Sequence, residues 1–285
     1  MRRIVVTGAR GQLGRQVLAR AAARGRVAVG FGSDEFDITD AQAARRHAEP
    51  NTLIVNCAAY TAVDQAETDV EQAFAGNATG PRVLAEACAD TGAGLIHVST
   101  DYVFDGTATA PYETDAPVGP VSVYGKSKLA GEQAIHEVLP QANIVRTAWV
   151  YTGADRDFVA SMRRLESERD TIDVVDDQIG SPTYAADLAD ALLDLADHLD
   201  AGRTAPPVLH ATNSGQASWF ELARAVFSEL GADPERVHPC TSAQFVRPAP
   251  RPGYSVLSDR AWRAAGLTPL RSWRSALHAA MTTRP

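Results

Sequence analysis

Lysine is almost missing from this chain. Of its 27 lysines and arginines only two are lysine, Lys126 and Lys128, and both lie in the stretch Tyr124-Gly125-Lys126-Ser127-Lys128. Arginine replaces lysine at little cost where only charge is wanted. It fails where a compact ammonium on a flexible stem is needed, because a planar guanidinium has a different reach and donor geometry. Cysteine is scarce too: Cys57, Cys88 and Cys240 are widely spaced, with no CxxC pair, which excludes a disulfide framework and fits reduced thiols in a cytosolic protein. No window approaches the roughly 18 apolar residues of a membrane span. The start, Met1-Arg2-Arg3, runs into Ile4-Val5-Val6 and then glycine, too short for a signal-peptide core, so a cytoplasmic location is expected. A net charge of −8 argues against a nucleic-acid groove or an anionic membrane as partner, though a small anionic ligand needs only a local cluster of donors.

What is present is ordinary for a globular protein: 45% apolar and 22% charged residues over 285 positions, enough for a large core. The first half alternates strand and helix patterns. Strands are expected at 4–7, 27–31, 53–57, 95–99 and 143–147. Helices are expected at 14–24, 41–48, 70–91 with a possible break at Gly80-Pro81, and 127–138. Continuous apolar strands alternating with helices indicate an α/β fold, a Rossmann-type doubly wound parallel sheet covered on both faces. Beyond Trp149 the pattern loosens to helices at 187–199 and 219–230, a strand at 208–211, a proline-rich loop at 247–253 and a helical tail. The expected division is a dinucleotide-binding core over 1–150 with returning elements at about 181–211. A smaller C-terminal substrate-binding lobe would take about 151–180 and 212–285.

The turn Gly8-Ala9-Arg10-Gly11-Gln12-Leu13-Gly14 follows the first strand and opens a helix. Glycines there allow a tight turn, backbone close to a pyrophosphate and close helix–strand packing, and the helix N-terminus offers N–H groups to phosphates. At the end of the second strand, Gly30-Phe31-Gly32-Ser33 carries no acid to hold a ribose 2′-hydroxyl, Asp34 and Glu35 lie late, and no arginine marks a 2′-phosphate pocket. NADPH and NADH both remain open. Asp37-Ile38 could cap the adenine, or Thr39 or Asp40 could simply cap the next helix. Small residues at Cys57-Ala58-Ala59 would let a cofactor lie across the third strand's end, or would serve close packing alone. The fourth strand ends Ser99-Thr100-Asp101-Tyr102, a hydroxyl, an acid and a phenol where a strand meets the crevice. His97, one histidine inside that strand, reads as a hydrogen-bonded core residue.

Lys128 stands four residues after Tyr124, so on a helix the two share a face. With Thr100 they compose a reductase: hydride from a nicotinamide reaches a carbonyl carbon while Tyr124 gives its proton to the oxygen. The Lys128 ammonium is expected to lower Tyr124 toward the working pH, and Thr100 to polarise the carbonyl.

These stretches resemble the extended short-chain dehydrogenase/reductases, and within them the dTDP-4-dehydrorhamnose reductase family. The further landmarks are Asn56-Cys57-Ala58-Ala59-Tyr60-Thr61-Ala62-Val63-Asp64, Arg146-Thr147-Ala148-Trp149-Val150-Tyr151, Asp177-Gln178-Ile179-Gly180-Ser181-Pro182-Thr183 and Arg251-Pro252-Gly253-Tyr254-Ser255-Val256-Leu257. The resemblance implies reduction of the C4 ketone of a dTDP-4-keto-6-deoxy sugar by NADPH or NADH, with Thr100, Tyr124 and Lys128 catalytic. It implies dinucleotide contacts at Gly8, Gly11, Gln12, Leu13, Gly14, Ala58, Ala59, Tyr60, Thr61, Tyr124 and Lys128, with Asp37 and Ile38 near the adenosine. Thr100, Asp101, Tyr102 and Trp149 would meet the sugar. Arg251 is the candidate for the diphosphate, or else a surface arginine of its loop. Related nucleotide-sugar dehydratases carry a glutamate where this chain has Tyr102, so plain carbonyl reduction is favoured. A 4-ketoreductase for another deoxysugar, and a non-catalytic nucleotide-binding subunit, are the competing readings. Some family members hold magnesium at a dimer interface; the tail 276–285 shows no acidic cluster for it, so no metal is expected, and the chain would be a monomer or homodimer.

Overall fold

The apolar runs become strands because both faces of each are covered. The computed structural model describes residues 1–154 and 156–282. Its central sheet takes β1 (Arg3–Thr7), β2 (Ala28–Phe31), β3 (Thr52–Asn56), β4 (Gly94–Thr100), β5 (Asn143–Thr147) and β10 (Val208–His210) in the order β10-β5-β4-β3-β1-β2. All neighbours run parallel. Every residue of β3 and β5 is buried, and each large aliphatic side chain so covered contributes about 1.5–3 kcal/mol. Strand order reverses at β1, and the carboxyl ends of β1 and β3 flank the crevice where open α/β sheets bind ligands.

One face is covered by α1 (Gln12–Ala23) and α7 (Ala185–Asp200), whose Leu188, Leu192 and Leu195 join Ile4, Val6 and Val55 in one core. Arg24 ties the pair at their rim, reaching Asp190 at 2.7 Å and Asp194 at 2.6 Å. The other face takes α2 (Ala41–His47), α4 (Gly80–Thr91) and α5 (Val123–Val138), with α3 (Val70–Phe74) packed on α5. The chain then builds a second core from β6 (Val150–Tyr151), α6 (Phe158–Glu168), β7 (Ile172–Val175), β8 (Ile179–Gly180) and β9 (Thr183–Tyr184), joined by β11 (Ala217–Ser218), α8 (Trp219–Glu229), β12 (Val237–Cys240) and α10 (Trp273–Thr282). The short α9 (Arg260–Ala264) brings Trp262 back to the first core. No helix among the described residues is long and apolar enough to cross a membrane.

Two local expectations need correction. The long helix does not break at Gly80-Pro81. A π-helical turn, Ala75–Thr79, comes first, and Gly80 opens α4. Pro81 thus falls in a first turn, where its missing N–H costs nothing. The helix bearing Lys128 starts at Val123 rather than Ser127, because the Ser122 hydroxyl accepts from the Gly125 N–H at 3.1 Å and caps it. Tyr124 therefore lies inside the first turn. Of the tail read for acidic residues, 283–285 lie outside the described residues.

Candidate active site

The glycine turn is shaped by what a side chain would strike. Gly8 has φ +63°, and a Cβ there would come within 2.7 Å of the Ala58 backbone. A Cβ on Gly14 would lie 2.4 Å from the Gly8 carbonyl oxygen. The turn is thus pressed against the end of β3, and α1 against the turn. Gly11 is the N-cap, with no capping side chain and no acid in the first turn. The first-turn N–H groups are left for a ligand. Gln12 and Leu13 are half-buried and Gly11 is exposed. A dinucleotide's pyrophosphate fits this cradle in shape and in charge.

Across the crevice, Ala58 and Tyr60 are half-buried while Ala59 and Thr61 are exposed. Tyr60 is fixed by a residue that carries no sequence signal, Asn77 of the π turn. Asn77 Oδ1 accepts from the Tyr60 N–H at 2.8 Å, while its Nδ2 donates to the Tyr60 carbonyl and to Ser127 Oγ, each at 3.0 Å. The same fully buried amide therefore joins the β3 loop to the helix that carries Lys128.

At the end of β2 the structure adds what the local sequence hides. Arg10, from the glycine turn, reaches Asp34 at 2.9 Å and Glu35 at 3.3 Å. An arginine thus stands at the end of β2, where a coenzyme's 2′ position would fall, brought there from 24 residues upstream of Asp34 (34 − 10). Asp40, not Thr39, caps α2, accepting from Gln42 and Ala43. Asp37 stays exposed and accepts from both the N–H and the hydroxyl of Thr39. Ile38 is buried against Gly80.

The candidate reactive groups meet at the carboxyl end of β4. Thr100 Oγ1 donates to Asp101 Oδ1 at 3.0 Å and accepts from the Tyr102 N–H at 3.2 Å. It is also hydrogen-bonded to the Tyr124 phenol. The rings of Tyr102 and Tyr124 pack edge to face at 5.5 Å. Lys128, 2% exposed, donates from Nζ to the Val98 carbonyl at 2.8 Å and faces His97 Nε2 at 3.3 Å. His97 is thus the hydrogen-bonded core residue expected, and one of its contacts is Lys128.

Burial dominates the electrostatics. It pushes the Tyr124 phenol up to about 12, with the Thr100 hydrogen bond pulling back and Asp101 adding to the rise. The expected lowering of Tyr124 by an ammonium is not met, because Lys128 spends its head on β4. Burial likewise pushes Lys128 down to about 8 against the pull of Glu132 and Cys57. Asp101 rises to about 6, burial outweighing the hydroxyls of Ser255 and Thr100, and its Oδ2 is buried without a partner. A phenol that keeps its proton at neutral pH suits a proton donor.

Trp149 walls the cleft toward the second core. It holds φ +48°, a region costly for a bulky residue. Its ring lies flat on Trp219 at 3.5 Å and 5°. Gly180 leaves the room: a Cβ there would sit 2.4 Å from the Trp149 indole. Trp219 was not singled out in the sequence, since its partner lies 70 residues away (219 − 149). Arg251 is held by Asp64 at 2.9 Å and by the Ala249 carbonyl at 3.0 Å, and Arg247 shares the same carboxylate at 2.6 Å.

Residues 1–284 match the family model described as RmlD substrate binding domain. The chain is 57% identical over 284 residues to a dTDP-4-dehydrorhamnose reductase of Mycobacterium tuberculosis, covering 98% of this chain and 92% of that one. It is 48% identical over 281 residues to a probable dTDP-4,6-dihydroxy-2-methyloxan-3-one 4-ketoreductase of Streptomyces antibioticus, covering 98% and 94%. Its fold is similar to the crystal structure of the Bacillus anthracis dTDP-4-dehydrorhamnose reductase in complex with NADP, at TM-score 0.89, 37% identity and 97% of each chain.

Proposed function

The chain belongs to the RmlD substrate-binding-domain family, and from that membership we propose that it is an NAD(P)H-dependent oxidoreductase reducing the C4 ketone of dTDP-4-dehydro-L-rhamnose to dTDP-L-rhamnose. The observation that carries the reading is the convergence of Thr100, Tyr124 and Lys128 at the sheet's carboxyl edge, facing the cradle of Gly8, Gly11 and Gly14. When bound, the reduced nicotinamide supplies the hydride. Tyr124, kept protonated by its desolvation, gives its proton to the carbonyl oxygen as negative charge develops there. Thr100, hydrogen-bonded to that phenol, would turn its one hydroxyl proton from Asp101 to the same oxygen and hold the carbonyl in register. Lys128 is anchored by Val98 beneath Tyr124 on one helix face and would meet the coenzyme ribose with its remaining donors.

The dinucleotide would lie over Gly11, Gln12 and Leu13 and against Ala58, Ala59, Tyr60 and Thr61, with Asp37 and Ile38 toward its adenosine. Asp101, with a buried unpaired oxygen, would accept from a sugar hydroxyl, Tyr102 would line the same pocket, and the Trp149 ring would cover the sugar's apolar face. Arg251 would take the diphosphate by exchanging Asp64 for phosphate oxygens. The test is turnover. Purified protein with NADPH should consume dTDP-4-dehydro-L-rhamnose and yield dTDP-L-rhamnose by NMR of the product. A clear preference for 2-deoxy analogues would favour the 4-ketoreductase reading that the Streptomyces relative suggests. Absence of turnover with either would leave the nucleotide-binding reading.

A further inference from the structure

Beneath Lys128 runs a line of polar side chains to which the reaction above gives no role. Thr7, Asn56 and His97 occupy one register row across β1, β3 and β4, and all three are buried. Thr7 Oγ1 donates to Asn56 Oδ1 at 2.6 Å, and the Ala58 backbone N–H donates to the same oxygen at 3.1 Å. A backbone N–H can only donate, so the Asn56 amide has one orientation and its Nδ2 must face His97. That nitrogen lies 2.8 Å from His97 Nδ1 and donates to it. Nδ1 therefore carries no proton. Burial, with Lys128 adding to it, holds the imidazole uncharged at neutral pH, so its one proton is on Nε2. Nε2 is the atom 3.3 Å from Lys128 Nζ. The lysine thus meets an N–H where an ammonium would want a lone pair.

We infer that His97 is a positioning residue for the catalytic lysine: its tautomer, fixed by Asn56, turns Nε2–H toward Lys128 and weakens the lysine's hold on its third proton. The inference rests on the reductase reading of the site. As a neutral amine, Lys128 accepts from His97 with its lone pair while still donating to Val98. As an ammonium it points a proton at another. The remaining groups around it do not cancel this. Cys57, just past the end of β3, is a half-buried thiol that desolvation pushes up to about 12, so it stays neutral. Glu132, one turn on, is committed to Arg146 of β5 at 2.7 Å and to the Ser99 hydroxyl. Tyr124, one turn back, is neutral, and Asp101 turns to Thr100. Burial already brings Lys128 down to about 8, and the His97 N–H would act in the same direction.

The experiment is the pH dependence of kcat for the unaltered protein, His97→Phe and His97→Gln, with 15N NMR of the histidine rings in the unaltered protein. Glutamine can accept from Asn56 and donate to Lys128 as His97 does; phenylalanine can do neither. The alkaline limb should move up by about one pH unit, tenfold in proton affinity, in His97→Phe and stay in place in His97→Gln. The NMR should find the His97 proton on Nε2. Equal limbs in all three proteins, or equal shifts in both variants, would overturn the inference, and so would a proton on Nδ1. The tautomer is read without turnover, so a wrong substrate and a wrong role for His97 give different results. It also decides the matter if His97→Phe does not fold.

Discussion

Replacing Lys128 by arginine keeps the charge and tests whether charge is all that matters. Lys128 is 2% exposed and its ammonium is seated between the Val98 carbonyl at 2.8 Å and His97 at 3.3 Å. A guanidinium is longer and planar and cannot occupy that seat without shifting β4 or α5. Overpacking a filled interior costs about 1–3 kcal/mol. Loss of the charged hydrogen bond to Val98 adds about 1.5–3 kcal/mol. Lys128→Arg should therefore lower stability by about 2.5–6 kcal/mol, visible as a fall in Tm. The chemical effect is separate. Loss of the donors meant for the coenzyme ribose would misplace the nicotinamide, and a misplacement of about 1 Å costs about two orders of magnitude in kcat. An arginine also keeps its proton at any working pH, so the alkaline limb attributed to Lys128 should disappear from what activity remains. The assay is NADPH oxidation at saturating sugar nucleotide, with Lys126→Arg as control. Lys126 is exposed, and its replacement should leave kcat and Tm as they were. If Lys128→Arg turned over like the unaltered protein, the claim that the site needs a compact ammonium would be refuted.

Other expectations are open to measurement. Asp101 is raised to about 6 from an ordinary 3.8, so the folded state holds its proton where the unfolded state releases it. Stability should therefore fall as pH rises from about 4 to about 6, by roughly 3 kcal/mol, and Asp101→Asn should flatten that slope in denaturant titrations; parallel slopes would contradict the burial argument. Arg10→Ala, which frees Asp34 and Glu35, should raise KM for NADPH about tenfold and barely move KM for NADH, since a charge-assisted contact to a 2′-phosphate is lost. Equal changes for both coenzymes would remove Arg10 from the 2′ position. Trp219→Ala deprives Trp149 of its stacking partner, a contact worth about 0.5–1.5 kcal/mol beyond its area. KM for the sugar nucleotide should rise about three- to tenfold with coenzyme KM unchanged, and a coenzyme effect instead would place Trp149 elsewhere in the cleft.

Strands β1, β3, β4 and β5 were legible because a strand covered on both faces carries a continuous apolar run, and β3's Leu53-Ile54-Val55 shows this plainly. The glycine turn and the pairing of Tyr124 with Lys128 were legible because their spacing is a local geometric requirement. The two-residue strands β6, β8, β9 and β11 were not, since two residues have no periodicity. Neither was the π turn, against which α5 packs closely: a Cβ on Gly131 would lie 2.0 Å from the Asn77 carbonyl oxygen. The site residues missed are of one kind. Asn77, His97, Arg10 and Trp219 each act on a partner from another element, so their roles appear only once the sheet sets the register. His97 shows this best. In sequence it is a polar residue within a strand; in the fold it lies between Asn56 and Lys128.

The central claim is that Tyr124 delivers the proton while hydride reaches C4 of the sugar. Single-turnover reduction of dTDP-4-dehydro-L-rhamnose by Tyr124→Phe, with NADPH binding measured alongside, tests it most directly. Removing a positioned general acid should slow the chemical step by about two to four orders of magnitude, with coenzyme binding retained. Hydride transfer at the rate of the unaltered protein would contradict the assignment.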